Sequence, residues 1–313
     1  MADGADRQAR RALRQPRRRR RGSRGERDVL ARREPGIGLP LPGGRMRDTS
    51  RPVPFARASR AVFDLALEGM VWSRRSLLMA VLLGLPIVFA IVYRVVLAAH
   101  IPPRVTPFDL YGAVVVFYYL RNVLPLAALF YASALIADEV EGKTLTYLLT
   151  RPVRREAILA GKFAAYVATT LSLALPAVVV TFFILLTSRG RVGLGGAVPD
   201  LLRDLGVLAL ALLAYGALFT LLGVLLKRPV IPGLLFLFVW ELIANLPGYL
   251  PRFTLTAYLR SLVRHRPAEE GISEIFGQVL PAALCLEVLA GAIIVCLAAA
   301  AWIFSTREYV MDQ

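Results

Sequence analysis

Six long apolar runs, separated by short polar clusters, occupy the chain from Leu77 to Phe304. They cover Leu77–Ala99, Val116–Ile136, Phe163–Thr187, Leu205–Leu226, Val230–Leu246 and Val279–Phe304. A helix needs about 20 apolar residues to cross the ~30 Å hydrocarbon core of a bilayer, and each run approaches or exceeds that length. Only helices satisfy their own backbone amides through such a run, and no long period-2 alternation points instead to a membrane barrel. The pattern therefore predicts an all-α integral membrane protein with six transmembrane helices. Before the first run, Ala58, Val62, Leu65, Gly69 and Trp72 fall near one helical stripe with Phe63, Leu67 and Met70 beside it. Arg57, Arg60, Asp64 and Glu68 lie elsewhere on the same wheel. Arg57–Ser73 is thus predicted to be an amphipathic helix lying in the membrane interface, the alternative being a plain extension of the first span.

Composition agrees with a membrane as the solvent: 57% of residues are hydrophobic and the mean hydropathy is +0.58, too apolar for a soluble domain of this charge. Charges between the runs set an orientation. With the N-terminus inside, twelve basic residues face inward, among them Arg74, Arg75, Lys143, Arg154, Arg155, Lys227 and Arg228; eight, including Arg104, Arg189, Arg203 and Arg260, face outward. This bias places both termini in the cytoplasm.

Most of the formal charge of +16 is not spread along the spans, because residues 1–60 alone supply +12 of it. Residues 1–50, with Arg17 to Arg21 in a row and a Pro/Gly-rich stretch at Glu34–Gly44, have no apolar face and are expected to be a disordered tail. A solvated arm drawn to anionic lipid, or a start upstream of the true one at Met46, accounts for it better than nucleic-acid binding, and no nucleic-acid partner is expected. Residues 51–313 form the membrane domain.

Three motifs mislead. Ala137-Asp138-Glu139-Val140-Glu141-Gly142-Lys143-Thr144 nearly matches a phosphate-binding loop. That loop needs an initial Gly and backbone amides free to close on phosphate, whereas here Ala137 leads and three carboxylates occupy the cradle. Ser73-Arg74-Arg75 resembles a twin-arginine signal, but the run behind it is too long and five more follow. Cys285 and Cys296 sit eleven residues apart in the last run, about 16 Å along a helix axis, too far to bridge. No metal site and no catalytic constellation emerges. A membrane-embedded lipid-modifying enzyme needs convergent acid, base or metal groups, and the chain has two His in all, His100 and His265.

Charged residues within spans are costly and normally face protein or water. Arg121, Glu241 and Glu287 are the candidates for intramembrane or pathway positions, with Asn122 and Asn245 nearby. Arg121 is expected within a few residues of the outer end of the second span, able to snorkel. An Arg121–Glu241 or Arg121–Glu287 ion pair would satisfy opposite charges in lipid.

Between the second and third spans, Glu139-x-Glu141-Gly142-x-Thr144-Leu145, Leu148-Leu149, Arg151-Pro152-Val153-x-Arg155, Ile158-Leu159 and Gly161-Lys162 follow one another. Together with Pro125–Phe130 and Ala137–Glu139, this pattern resembles the permease subunits of type-2 ABC transporters, a likeness that runs from about Arg57 onward. The resemblance implies two permease copies, identical or not, around a substrate pathway, driven by a separate ATP-binding subunit that holds ATP and Mg²⁺. The chain itself binds neither. It also implies export, a multi-pass place in the bacterial cytoplasmic (inner) membrane, and short helices within Pro247–Gln278 capping the pathway outside. A non-transporting membrane partner of an ABC ATPase would use the same loop. The stretch 137–162 would be the coupling element. Leu145, Leu148 and Leu149 give an apolar stripe to lay in a groove, and Pro152 turns the chain. Glu139 and Glu141 would pair with Arg154, Arg155 or Lys162.

Overall fold

The computed structural model describes residues 54–99, 105–135, 154–187, 194–226, 228–244, 253–263 and 280–306. Every regular element among them is helical. They are α1 (Phe55–Val71), α2 (Arg74–Ala98), α3 (Pro107–Ala132), α4 (Arg155–Leu186), α5 (Leu194–Leu225), α6 (Val230–Ala244), α7 (Leu255–Leu262) and α8 (Ala282–Thr306). Five of these, α2, α3, α4, α5 and α8, are long and apolar enough to cross a membrane. The fifth expected span is shorter: the 15 residues of α6 reach about 22 Å at 1.5 Å per residue, less than the ~30 Å hydrocarbon core.

Helix α1 is separate from α2. The break falls at Trp72–Ser73, where the Ser73 side chain accepts the amide of Ser76 at 3.1 Å and donates to the Met70 carbonyl at 2.9 Å, supplying partners to groups that a helix end leaves open. The face α1 buries is shifted within the expected apolar side, toward Phe63, Leu67 and Met70 beside the stripe. Ala58 is buried, Val62, Phe63, Ala66, Leu67 and Met70 are half-buried, and Leu65 and Trp72 point away, with Trp72 89% exposed. The reason is tertiary, since α1 lies along α4 and that contact selects one edge of the predicted apolar side.

Helix α5 packs against α3, α4 and α8. Its Leu208, Ala211, Leu212, Tyr215 and Phe219 are all buried. Helix α3 starts nine residues earlier than the apolar run suggested, with Thr106 capping the amide of Asp109 at 3.2 Å. Its middle, Val114–Val123, is wound as a π-helix. Pro125 follows at once and has no N–H to give the turn before it, an identifiable cause for local rewinding.

Another proline explains how α2 and α3 are joined. Pro86 lies inside α2, so the carbonyl four residues before it, that of Leu82, has no helical donor. The Tyr118 hydroxyl donates to that carbonyl at 2.5 Å, and the Tyr119 hydroxyl donates to the next one, Leu83, at 2.7 Å. The two rings meet edge to face at 5.5 Å. Consecutive tyrosines on the π-wound stretch therefore fill a gap that a proline opens in its neighbour. In lipid-embedded chains such side-chain bonds contribute about 0.6 kcal/mol on average and up to about 1.7. Tyr118→Phe should lower thermal stability in nanodiscs by about 1 kcal/mol. The loss should shrink in a Pro86→Ala background, where an amide returns to Leu82. Equal losses in both backgrounds would show that the hydroxyl does not answer the proline.

Candidate coupling and pathway sites

Two regions gather the residues singled out by sequence. The first is the end of the bundle where α3 finishes and α4 begins. Arg155 and Lys162, expected on the coupling loop, are on the first two turns of α4 instead. Lys162 is buried at 8% exposure, and its Nζ donates to the Leu135 carbonyl at 2.5 Å. An ammonium is rarely buried without partners, and here it takes up a carbonyl just past the end of α3. Arg155 reaches the other way, its Nη1 donating to the Ser305 carbonyl at 3.3 Å in the last turn of α8. The start of α4 is thus tied to the ends of both α3 and α8.

Close helix contacts hold the same end. A Cβ added at Gly161 would lie 2.4 Å from the Ser59 carbonyl oxygen, 3.0 Å from Val62 Cβ and 3.2 Å from the Phe63 amide nitrogen. Only Gly lets α1 approach α4 so nearly. Gly223 of α5 stands in the same relation to the Ser133 carbonyl, at 2.5 Å. Small residues at crossings are the usual means by which helices approach one another in membranes. Tyr131 adds a tie between α3 and α2, its hydroxyl bonded to Ser76 Oγ at 2.7 Å. Ser76 Oγ in turn donates to the Met70 carbonyl of α1. Glu139, Glu141, Gly142, Thr144, Leu145, Leu148, Leu149 and Pro152 lie outside the described residues.

The second region is the middle of α3. Arg121 does not sit near a helix end as expected: fourteen residues of α3 precede it and eleven follow. The reason is that α3 begins at Pro107, well before its strongly apolar part. The guanidinium lies 5.6 Å from the Phe117 ring centre, within cation–π range. Asn122, next to it, is exposed and donates to the Phe117 carbonyl at 2.6 Å. Of its expected partners, Glu241 lies on α6, which packs against α3, but its side chain is outside the described residues. Glu287 is exposed on α8, a helix that packs on α4, α5 and α7. Cys285 and Cys296 are free thiols.

Several residues of consequence were not singled out from sequence. Tyr118, Tyr119 and Pro86 form the α2–α3 joint. Asp204 of α5 is fully buried, with the buried Tyr111 side chain of α3 beside it. A Pro within an apolar run is a visible signal that a neighbour must supply a donor, whereas the position of Asp204 inside the bundle could not be read from its own surroundings in sequence.

A family model for ABC-2 family transporter proteins matches residues 106–309, about two thirds of the chain. A search of curated proteins found no match. The chain belongs to the ABC-2 transporter family, and with five long apolar helices among the described residues it is a multi-pass membrane permease of the ABC transporter type.

The Gly161 contact yields a direct test. Gly161→Val should drive α1 away from α4 and speed amide exchange across 55–71, with 282–306 unchanged. Gly84→Ala, at a site with nothing within 4 Å, should change neither segment. Unaltered exchange in α1 of the Gly161 variant would mean that the close approach does not hold the helix.

Proposed function

We propose that this chain is a six-span permease subunit of an ABC exporter, moved by a separate ATP-binding subunit through the stretch 137–162. The observation that carries this reading is the Lys162–Leu135 bond, which locks the foot of α4 to the foot of α3 where the intervening segment leaves and re-enters the bundle. A segment held between two locked helix ends transmits a push to both. Gly161 brings α1 into the same unit, and Arg155 adds α8. Glu139, Glu141, Gly142, Thr144, Leu145, Leu148, Leu149 and Pro152 then form the surface offered to the ATPase, which holds ATP and Mg²⁺. α6 is the remaining span, completed by residues beyond Ala244 or by local thinning of the bilayer.

The excess of Lys and Arg on the loops at this end supports a cytoplasmic placement of both termini, in the cytoplasmic membrane of a bacterium. α1, with Trp72 exposed at its end, lies along the inner interface. A second permease copy completes the pathway. Arg121 and Asn122 line it from the middle of α3, because polar groups at that depth need protein or water, and Glu241, on the neighbouring α6, is the proposed ion-pair partner of Arg121.

Affinity purification of the tagged chain from native membranes should recover an ABC ATPase. The Glu139→Ala, Leu148→Asp, Arg155→Ala variant should lose it, and proteoliposomes of the recovered complex should show ATP-driven flux. A chain that purifies alone would sink the reading, and an ATPase without flux would leave a non-transporting partner. For the pair in the membrane, Arg121→Ala and Glu241→Ala should each lower thermal stability, with the double variant no worse than the poorer single one. Additive losses would count against pairing.

A further inference from the structure

Helix α7 is short yet firmly positioned. Thr254 caps its start by accepting the Ala257 amide at 3.3 Å. Thr256, Leu259 and Leu262 are buried as α7 packs on α8, α5 and the π-wound part of α3. Two polar ties fix it to α5: the Tyr215 hydroxyl meets Thr256 Oγ1 at 2.9 Å, and Arg203 Nε donates to the Leu262 carbonyl at 2.9 Å. On the last turn of this anchored helix stands Arg260. Its Nε and Nη2 are buried, and no acceptor among the described residues takes either of them.

These two nitrogens are the parallel donors of one long edge of the guanidinium. That edge is spaced to receive two oxygens of a single anion, the bidentate geometry that distinguishes Arg from Lys. A charged donor pair withdrawn from water without an acceptor is costly, so an unfilled edge on a rigid element marks a place for a ligand. The serine and threonine hydroxyls at α7 do not fill it. Thr256 is engaged with Tyr215, Ser261 Oγ donates to the Ala257 carbonyl at 2.9 Å, and Thr254 serves the cap. Arg203, an exposed residue, brings a second guanidinium to the same end of α7, which favours an anion carrying more than one charge.

We propose that Arg260 is the receptor for a phosphate group, held side-on by Nε and Nη2 with Arg203 adding charge at the end of α7. Two sources share this chemistry, the headgroup of an anionic phospholipid and free phosphate. The site is independent of how the permease is driven, and it stands or falls without a transport assay.

The test uses the full chain, delipidated in maltoside micelles, titrated with inorganic phosphate and separately with a short-chain phosphatidylglycerol. Binding is read from quenching of intrinsic Trp fluorescence and from equilibrium dialysis. The native chain should bind at least one probe. Arg260→Gln should weaken that Kd at least tenfold, and Arg260→Lys nearly as much, because an ammonium has no parallel N–H pair. Arg203→Gln should weaken it less. Binding of both probes assigns the phosphate alone as the recognised group, and binding of the lipid only assigns the headgroup in its membrane setting. If Arg260→Gln fails to fold, the Lys variant decides, since it keeps the charge and most of the length. The proposal is overturned if the native chain binds neither probe, or if both Arg260 variants keep the native Kd.

Discussion

A backbone carbonyl in hydrocarbon has no water to turn to, and this requirement governs how the spans fit together. Helices meet it internally until a proline removes a donor. At Pro86 the freed Leu82 carbonyl is answered from a different helix, by Tyr118, with Tyr119 bonded one residue on. The donors come from the π-wound stretch of α3, itself next to Pro125. Irregularity in one span is therefore compensated by irregularity in its neighbour, and α2 and α3 are bound as a pair. The same stretch carries Arg121 and Asn122, so the backbone feature that joins the two helices also positions the polar residues at mid-span.

At the Lys162 end a second constraint operates, close approach between helices. Without a strong hydrophobic drive between helices in lipid, packing contacts and hydrogen bonds do the joining. Gly161 admits α1 to α4 and Gly223 admits α5 to α3, while Lys162 fastens α4 to the foot of α3. Ser76 stands between Tyr131 of α3 and the Met70 carbonyl of α1. α1, α3, α4 and α5 thus share one cluster of contacts, which suits an element proposed to receive force from a partner subunit.

Legibility from sequence followed the range of the interaction concerned. The apolar runs foretold the five long helices because hydrocarbon thickness is a local length requirement, satisfied or not within each run. Their ends were less visible. α3 begins at Pro107 and α4 at Arg155, because polar first turns continue a helix once neighbours pack on it. Arg121 is near the start of the apolar run but in the middle of the helix for that reason. The ends of the candidate coupling stretch were marked by their motif, but nothing local tells that Lys162 is turned inward to Leu135. The α1 stripe was partly legible: periodicity gave the helix and its apolar side, and contact with α4 chose which edge of that side to bury, leaving Leu65 and Trp72 exposed.

What the sequence determined by itself was the solvent and the architecture. Long apolar runs with at most one charge each fit a bilayer as helices that satisfy their own backbone, and that follows from composition along a single segment. What only the tertiary structure decided was which polar groups meet. The hydroxyl of Tyr118 and the carbonyl of Leu82 are thirty-six residues apart, and the Lys162 ammonium and the Leu135 carbonyl twenty-seven. Each pair consists of a donor and an acceptor that are costly alone in a dry interior. Their partners are fixed by how the helices cross, a property that no one segment carries.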